Sequence, residues 1–295
     1  MAGARQIVDP PAFTALPHGL WDSIQHPTPN GSHWQQGITW IERCPTGDTT
    51  YDECLSVTGT GAPAAPAAKT GNVDQTTRGA TPFTVYAQFE CSSVGVGDAA
   101  TVGADALARV EQRQVETAFW TGVAGGQPVA FPHLAADAEV VDSQDIVLQP
   151  TASPVVTGGA DVAHALGALE QSLATCYAGQ GLIHVPRSAL PTLAAWKLAR
   201  LDDEGRLVTP GGNRIIAGTG YTGSGPDGVA AAAGTSWIYA TGPAFGYRSD
   251  TYVSPVRESL NRATNTLHML AERTYVIGFT CCLLAAHIAL GVPTE

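Results

Sequence analysis

The segment 218–223 reads Gly-Thr-Gly-Tyr-Thr-Gly and matches the GxGxxG pattern directly after a strand-like run. Such a loop binds a dinucleotide when its third glycine opens a helix whose N-terminus faces the pyrophosphate. Here the next residues are Ser-Gly-Pro-Asp-Gly (224–228), which break a helix, and the sequence gives no sign of a parallel βαβ repeat around them. The residues around the pattern therefore argue against a nucleotide site, and we expect no cofactor.

Other side chains that could do chemistry are scattered. The eight histidines form no pair with helical ligand spacing, and His184 and His287 lie in apolar strand-like runs, where a hydrogen-bonded core residue is expected. Asp202-Asp203-Glu204 is typical of a turn with solvated carboxylates. There is no GxSxG, Walker or HExxH motif. We predict no catalytic, cofactor-binding or metal-binding residue, and hence no enzyme.

Six cysteines in 295 residues are too few for a disulfide scaffold. Cys44 and Cys54 flank a turn-rich segment and could meet across a hairpin, although the sequence does not decide whether they form a disulfide. Cys281 and Cys282 lie in an apolar run, where we expect small buried hydrophobic side chains.

The composition limits the classes of partner. The formal net charge is −11, which argues against a nucleic-acid-binding protein, since such proteins carry a basic stripe. Charged residues make up only 14% of the chain, so its surface is poor in ionic solvation, as surfaces covered by partners often are. No secretory signal is visible at the N-terminus, and the apolar run 276–292 is interpreted as two buried strands and not as a membrane anchor.

Helical periodicity over 103–121 predicts the longest amphipathic helix, with Gly122 as its C-cap. The predicted buried stripe is Leu107, Val110, Val115, Ala118 and Phe119, and the predicted exposed face is Arg109, Glu111, Arg113 and Glu116. A second helix is expected over 161–177 and a short one over 188–201. Strands are expected at 181–185, 206–208, 214–217, 237–240 and 244–248, and 265–278 is expected to pair antiparallel with 279–290.

Two segments cannot bury themselves. Residues 1–36 are rich in Pro, His, Asn and Gly, which predicts an arm laid across another surface. The strand-like runs 37–43 and 82–91 enclose a long polar tract, which predicts a two-stranded projection. An isolated pair of strands is marginally stable, so we expect it to pack on a neighbouring subunit.

The order of these elements resembles the major capsid proteins of tailed bacteriophages, the Hong Kong 97-type fold that encapsulins share. The resemblance covers about 37–290. Its most specific part is 181–221, where a strand ends at Pro186, a helix carries Trp196, and an Asp203-Glu204-Gly205-Arg206-Leu207 turn and a Pro/Gly-rich hairpin lead to Ile215-Ile216.

The resemblance implies an α+β fold, no enzyme, and self-assembly into hexamers and pentamers of an icosahedral virion shell that encloses double-stranded DNA. Assembly would take place in the host cytoplasm, without a membrane, and with possible scaffold, portal and decoration partners. The implied layout is an N-terminal arm (1–36), an E-loop (37–92), a P-domain with its spine helix (93–154), an A-domain (155–251) and P-domain return strands (252–295). Because 1–36 holds no scaffold-like coiled coil, any scaffold would be a separate protein or absent.

Some family members crosslink an E-loop lysine to a P-domain asparagine of a neighbour. Only Lys69 and Lys197 are lysines here; Lys69 matches the first position loosely, and Asn261 or Asn265 the second, but no catalytic carboxylate can be assigned. A solvated loop lysine is the simpler interpretation. The alternatives for the whole chain are an encapsulin-like compartment, a glycine-loop nucleotide-binding oxidoreductase, or a β-rich tail or decoration protein.

Overall fold

A computed structural model describes residues 11–46, 72–92, 99–128, 130–255 and 259–291. Its helices are α1 (Ala99–Thr121), α2 (Val162–Cys176) and α3 (Leu190–Ala195). The strands of the described residues are β1 (Ile38–Thr46), β2 (Asn72–Ala80), β3 (Phe83–Ser92), β4 (Val123–Ala124), β5 (Gln127–Pro128), β6 (Val140–Val141), β7 (Val147–Gln149), β8 (Ser153–Ala160), β9 (Leu182–Pro186), β10 (Arg200–Leu201), β11 (Leu207–Val208), β12 (Arg214–Gly218), β13 (Thr235–Thr241), β14 (Ala244–Arg248), β15 (Tyr252–Val253), β16 (Leu260–Asn261), β17 (Thr266–Phe279) and β18 (Leu283–Ala289).

Helix α1 confirms the first predicted helix and extends it by one turn at its N-terminus. It packs on β3 and β17, and Leu107, Val115 and Phe119 are buried there. It ends at Gly122, whose φ of +75° suits glycine and whose N–H donates to the Ala118 carbonyl at 2.8 Å. Val110, predicted to be buried, is 36% exposed.

Strand β17 is the centre of a five-stranded sheet, in which β3, β14, β15 and β16 all pair with it antiparallel. The predicted pairing of 37–43 with 82–91 is therefore wrong, because β3 aligns Phe83 with Tyr275 of β17. Strand β1 pairs instead with β2, Ile38 opposite Ala80, inside the tract interpreted as polar. Strand β2 was not predicted because it contains polar Thr and Gln side chains. Such side chains are compatible with a strand, since one face of an antiparallel hairpin can face water.

A seven-stranded sheet forms the second layer, in the order β10-β11-β12-β9-β13-β18-β8. Helix α2 confirms the second predicted helix. It begins after Asp161, whose side chain accepts from the His164 N–H at 2.9 Å, and its predicted stripe Val162, Leu166, Leu169 and Leu173 is buried with strands of this sheet. The predicted helix over 188–201 is shorter, since α3 ends before Trp196.

The predicted antiparallel pair 265–278 with 279–290 is wrong. Strand β17 belongs to the five-stranded sheet, whereas β18 pairs with β13 and β8 in the seven-stranded sheet. The turn Thr280–Cys282 carries the chain from one sheet to the other, and Cys281 adopts a φ of +63° there. Periodicity marks two strands, but it does not specify which sheet each one joins.

The predicted arm does not lie wholly on another surface. Leu20 is fully buried and Ile24 is 7% exposed in the core of their own chain, and Gln25 forms a β-bridge with Phe245. Residues 11–17 are exposed. Among the described residues, no helix is both long and apolar enough to cross a membrane.

Candidate functional site: a junction of arm, helix and glycine loop

Glu116 is the centre of a junction between three segments that are far apart in sequence. It lies near the C-terminal end of α1 and is 1% exposed. Its Oε1 accepts from the Leu20 N–H of the arm at 3.1 Å, and its Oε2 accepts from the Thr219 and Gly220 N–H groups at 2.5 and 3.0 Å. The Thr219 hydroxyl adds a contact at 2.8 Å. A buried carboxylate is stable only when donors surround it, and here the donors come from the arm and the glycine loop.

The glycine pattern follows from the close approach of this loop to α1. A Cβ on Gly220 would lie 2.0 Å from the Arg113 carbonyl oxygen and 2.6 Å from the Thr117 nitrogen, both backbone atoms of the helix. The Thr117 hydroxyl also donates to the Gly220 carbonyl at 3.0 Å. The loop does bind an anion through its N–H groups, as the motif suggests, but that anion is the Glu116 carboxylate of the same chain.

The context of the loop differs from the sequence expectation in one respect. Strand β12, which precedes it, is parallel to β9. The segment after Gly223 contains no helix and leads to β13, so the helix N-terminus that a dinucleotide site requires does not follow.

Glu116 itself was predicted to be exposed, together with Glu111, and both predictions are wrong. Glu111 pairs with Arg273 at 2.8 Å and accepts from the Tyr275 hydroxyl. The signal that could have revealed Glu116 is its position three and four residues before the buried Phe119 and Trp120, on the same helix face.

Aromatic side chains behind the loop fix its position. The Trp120 indole N–H donates to the Ser224 hydroxyl at 3.1 Å, and the Tyr239 hydroxyl donates to the Ser224 carbonyl at 3.0 Å. The Trp120 ring lies 4.7 Å from Tyr221 and 4.8 Å from Tyr239, centre to centre. The loop is therefore a packed part of the core and not a free ligand-binding segment.

His184 is a core residue, as predicted. It is fully buried between the Tyr221 hydroxyl and the Thr241 hydroxyl, each 3.0 Å from a ring nitrogen. Burial lowers the pKa of His184 from its ordinary 6.5 to about 3, so the ring is neutral at physiological pH. The Thr241 hydroxyl is also fully buried, so no substrate can reach this pair.

His287 and the acidic cluster are structural as well. The His287 ring stacks on Trp237 at 4.9 Å, and one ring nitrogen lies 3.2 Å from the Thr157 carbonyl, while Nε2 is buried without a partner. Asp202 accepts from the N–H groups of Glu204 and Arg206 and forms an ion pair with Arg206 at 2.8 Å, which closes the predicted turn.

A second junction joins the β1–β2 hairpin to the body. Glu42 is 5% exposed, pairs with Arg78 at 2.7 Å and accepts the Cys281 N–H.

Cys44 forms a disulfide with Cys281, and Cys176 forms one with Cys282. The Cys44–Cys54 pairing, which the sequence left open, is therefore wrong. Cys282 is buried, as expected, whereas Cys281 is partly exposed, and both form disulfides that the sequence did not indicate. Sequence proximity favoured the local pairing, whereas the fold brings together cysteines 237 residues apart.

The crosslink between Lys69 and an asparagine stays a prediction, because Lys69 lies outside the described residues, as Cys54 does. Asn261 and Asn265 are exposed and flank the turn between β16 and β17. The Asn261 side chain accepts the Ala263 N–H at 3.0 Å.

The whole fold is similar to solved capsid structures. The capsid of the empty GTA particle matches with a TM-score of 0.54 at 14% identity, over 97% of this chain and 95% of that one. The capsid of Ralstonia phage GP4 matches with a TM-score of 0.54 at 11% identity, over 100% and 97%. A structure of Mycobacterium phage Adephagia matches with a TM-score of 0.52 at 14% identity, over 97% and 93%.

No protein-family model matches the chain, and no curated protein does. Because the structural matches span nearly the full length of both partners, the chain has the α+β fold of these phage capsid structures.

Proposed function

We propose that the chain is the major capsid protein of a tailed bacteriophage. Its copies assemble into hexamers and pentamers of an icosahedral shell that encloses double-stranded DNA, and it is a structural protein and not an enzyme. The observation that carries this proposal is the match to phage capsids over 97–100% of this chain and 95–97% of theirs.

The layout implied by the sequence is part of the proposal. Segment 1–36 acts as the N-terminal arm, 37–92 as the E-loop, 93–154 as the P-domain with α1 as its spine helix, 155–251 as the A-domain, and 252–295 as the return to the P-domain. The β1–β2 hairpin supports the E-loop assignment. Strand β18 belongs to the sheet of β9 and β13, so the return segment also contributes to the A-domain sheet.

Exposed apolar side chains support self-association. Ile41 of the hairpin is 59% exposed, Leu201 of the edge strand β10 is 61% exposed, and Val229 of the loop between β12 and β13 is 63% exposed. A soluble chain with few charged residues gains by covering such positions with identical copies.

The charge supports a shell that does not adhere to its contents. A net charge of −11 repels packaged DNA and leaves the genome mobile. Scaffold, portal and decoration proteins are further partners in this proposal, which also places assembly in the host cytoplasm and the mature protein in the virion.

Sedimentation of the purified chain tests self-assembly. We expect a species of megadaltons from a chain of 30.5 kDa.

Nuclease treatment of particles recovered from infected cells then tests the contents of the particles. Protected double-stranded DNA supports a phage head, whereas particles that hold a protein cargo indicate an encapsulin-like compartment. A chain that stays monomeric with every candidate scaffold contradicts the proposal.

A further inference from the structure

Four of the six cysteines converge on the turn Thr280–Cys282. Cys281 bonds to Cys44 of β1, and the adjacent Cys282 bonds to Cys176 at the end of α2. Two neighbouring residues thus connect three segments that are otherwise joined only by folding. The turn itself passes from the five-stranded sheet to the seven-stranded sheet, so both disulfides act at the boundary between the layers.

Non-covalent contacts align the first pair before any bond forms. Glu42 lies two residues before Cys44 on β1 and therefore on the same strand face. Its carboxylate accepts the backbone N–H of Cys281 and is held by Arg78 at 2.7 Å. This contact holds the turn against β1, so the two sulfur atoms are neighbours whether or not they are bonded.

The two pairs differ in accessibility. Cys44 and Cys281 are both partly exposed, whereas in the other pair Cys176 is partly exposed and Cys282 is only 5% exposed in the core that contains α2. A thiol reacts only when reagents reach it, so the Cys44–Cys281 pair is the more reactive of the two.

We propose that the turn Thr280–Cys282 is a redox-controlled clamp that fixes the β1–β2 hairpin and α2 to the boundary between the two sheets. In the open state all four thiols are reduced. In the closed state each pair has lost two protons and two electrons, with dioxygen as the oxidant and hydrogen peroxide as the product, and has gained one S–S bond. The hairpin base and α2 then cannot separate from the turn.

Our proposal for when the two disulfides form rests on the proposed function. Thiols stay reduced in a bacterial cytoplasm and oxidise outside it. A shell assembled inside a cell therefore forms from chains with open clamps, and the clamps close after release. The clamp strengthens each subunit from within and forms no bond between subunits.

Timed thiol trapping tests the clamp. Cells that produce the full chain are lysed in excess iodoacetamide, and a second sample is exposed to air before trapping. We expect alkylated Cys44, Cys176, Cys281 and Cys282 in the first sample, and Cys44–Cys281 and Cys176–Cys282 peptides in the second. On titration with dithiothreitol, we expect Cys44–Cys281 to open first.

The structural effect is tested on oxidised chains with and without dithiothreitol. Reduction is expected to accelerate heat unfolding by about tenfold or more, since long closed loops restrict the unfolded chain. The single variants Cys44→Ser and Cys176→Ser should each lose part of the effect. The matched control is the double variant Cys54→Ser with Cys91→Ser, which keeps all four clamp cysteines and should respond to dithiothreitol like the parent chain.

Three results overturn the proposal. They are a Cys44–Cys54 disulfide in the oxidised chain, a metal ion bound by Cys44 and Cys281 in the purified full chain, and equal unfolding rates with and without dithiothreitol. All of these measurements work on a dispersed chain. If the clamp proposal fails, the capsid proposal is therefore unaffected. If the chain forms no particles, the clamp proposal can still be tested.

Discussion

A single carboxylate explains why the arm, the long helix and the glycine loop come together. Glu116 accepts hydrogen bonds from Leu20, Thr219 and Gly220 while almost completely buried. Without it, these backbone donors would be buried without partners, which costs more than most single contacts contribute.

Replacing Glu116 with Ala is expected to lower the free energy of unfolding by about 3–5 kcal/mol, because several buried donors lose their acceptor. Glu116→Gln keeps one oxygen and should lose less. Chemical denaturation monitored by circular dichroism measures both. The matched control is Glu139→Ala at an exposed position, where a change of similar size would contradict the role given to Glu116.

His184 makes stability depend on pH. Its pKa is about 3 in the fold and near 6.5 in the unfolded chain, so only the unfolded chain gains a proton as the pH falls below 6.5. The contribution of His184 to the free energy of unfolding is fully present above that pH. It decreases by about 2 kcal/mol as the pH falls from 6.5 to 5.

Denaturation of the parent chain and of His184→Gln at pH 7 and pH 5 checks this. The variant should lose less stability on acidification. His164→Gln, at an exposed position on α2, serves as the control and should keep the parent's pH dependence. An unchanged pH dependence in His184→Gln would show that the buried ring does not cause it.

At the scale of elements, the glycine loop and α1 form one packed unit. Gly220→Ala forces a methyl group into the helix backbone and is expected to lower the free energy of unfolding by about 3 kcal/mol or more. Gly158→Ala in β8, where a Cβ meets no atom within 4 Å, should have little effect. Thermal unfolding of both variants decides the matter. Equal melting temperatures would mean that the loop does not pack as described.

The sequence predicted the positions of helices and strands better than it predicted which strands pair. Periodicity located α1, α2 and most of β17 because each has a continuous apolar stripe. It missed β2, whose side chains are polar, and it paired β17 with β18 although they belong to different sheets. It also placed Glu116 on the exposed face and did not reveal Cys281 as the disulfide partner of Cys44. The errors in strand and cysteine pairing share one cause, which is that long-range pairing is decided by tertiary packing and not by local pattern.

For the whole molecule, the role of residues 47–71 in assembly can be tested with a chain that lacks them. The last pair of the β1–β2 ladder is Thr46 with Asn72, so an Asn-Gly turn can replace residues 47–71 and still connect the strands. We expect this variant to fold, with a cooperative thermal transition followed by circular dichroism, and to lose particle formation, as judged by sedimentation. Normal particles from the shortened chain would show that residues 47–71 are not needed between subunits.

Electron microscopy of the assembled chain shows whether its copies build a shell. We expect closed shells in which copies of this chain are arranged around fivefold and sixfold positions, with the β1–β2 hairpin of each copy lying on a neighbour. A dispersed monomer in every condition, or an assembly in which each hairpin contacts only its own chain, would contradict this expectation.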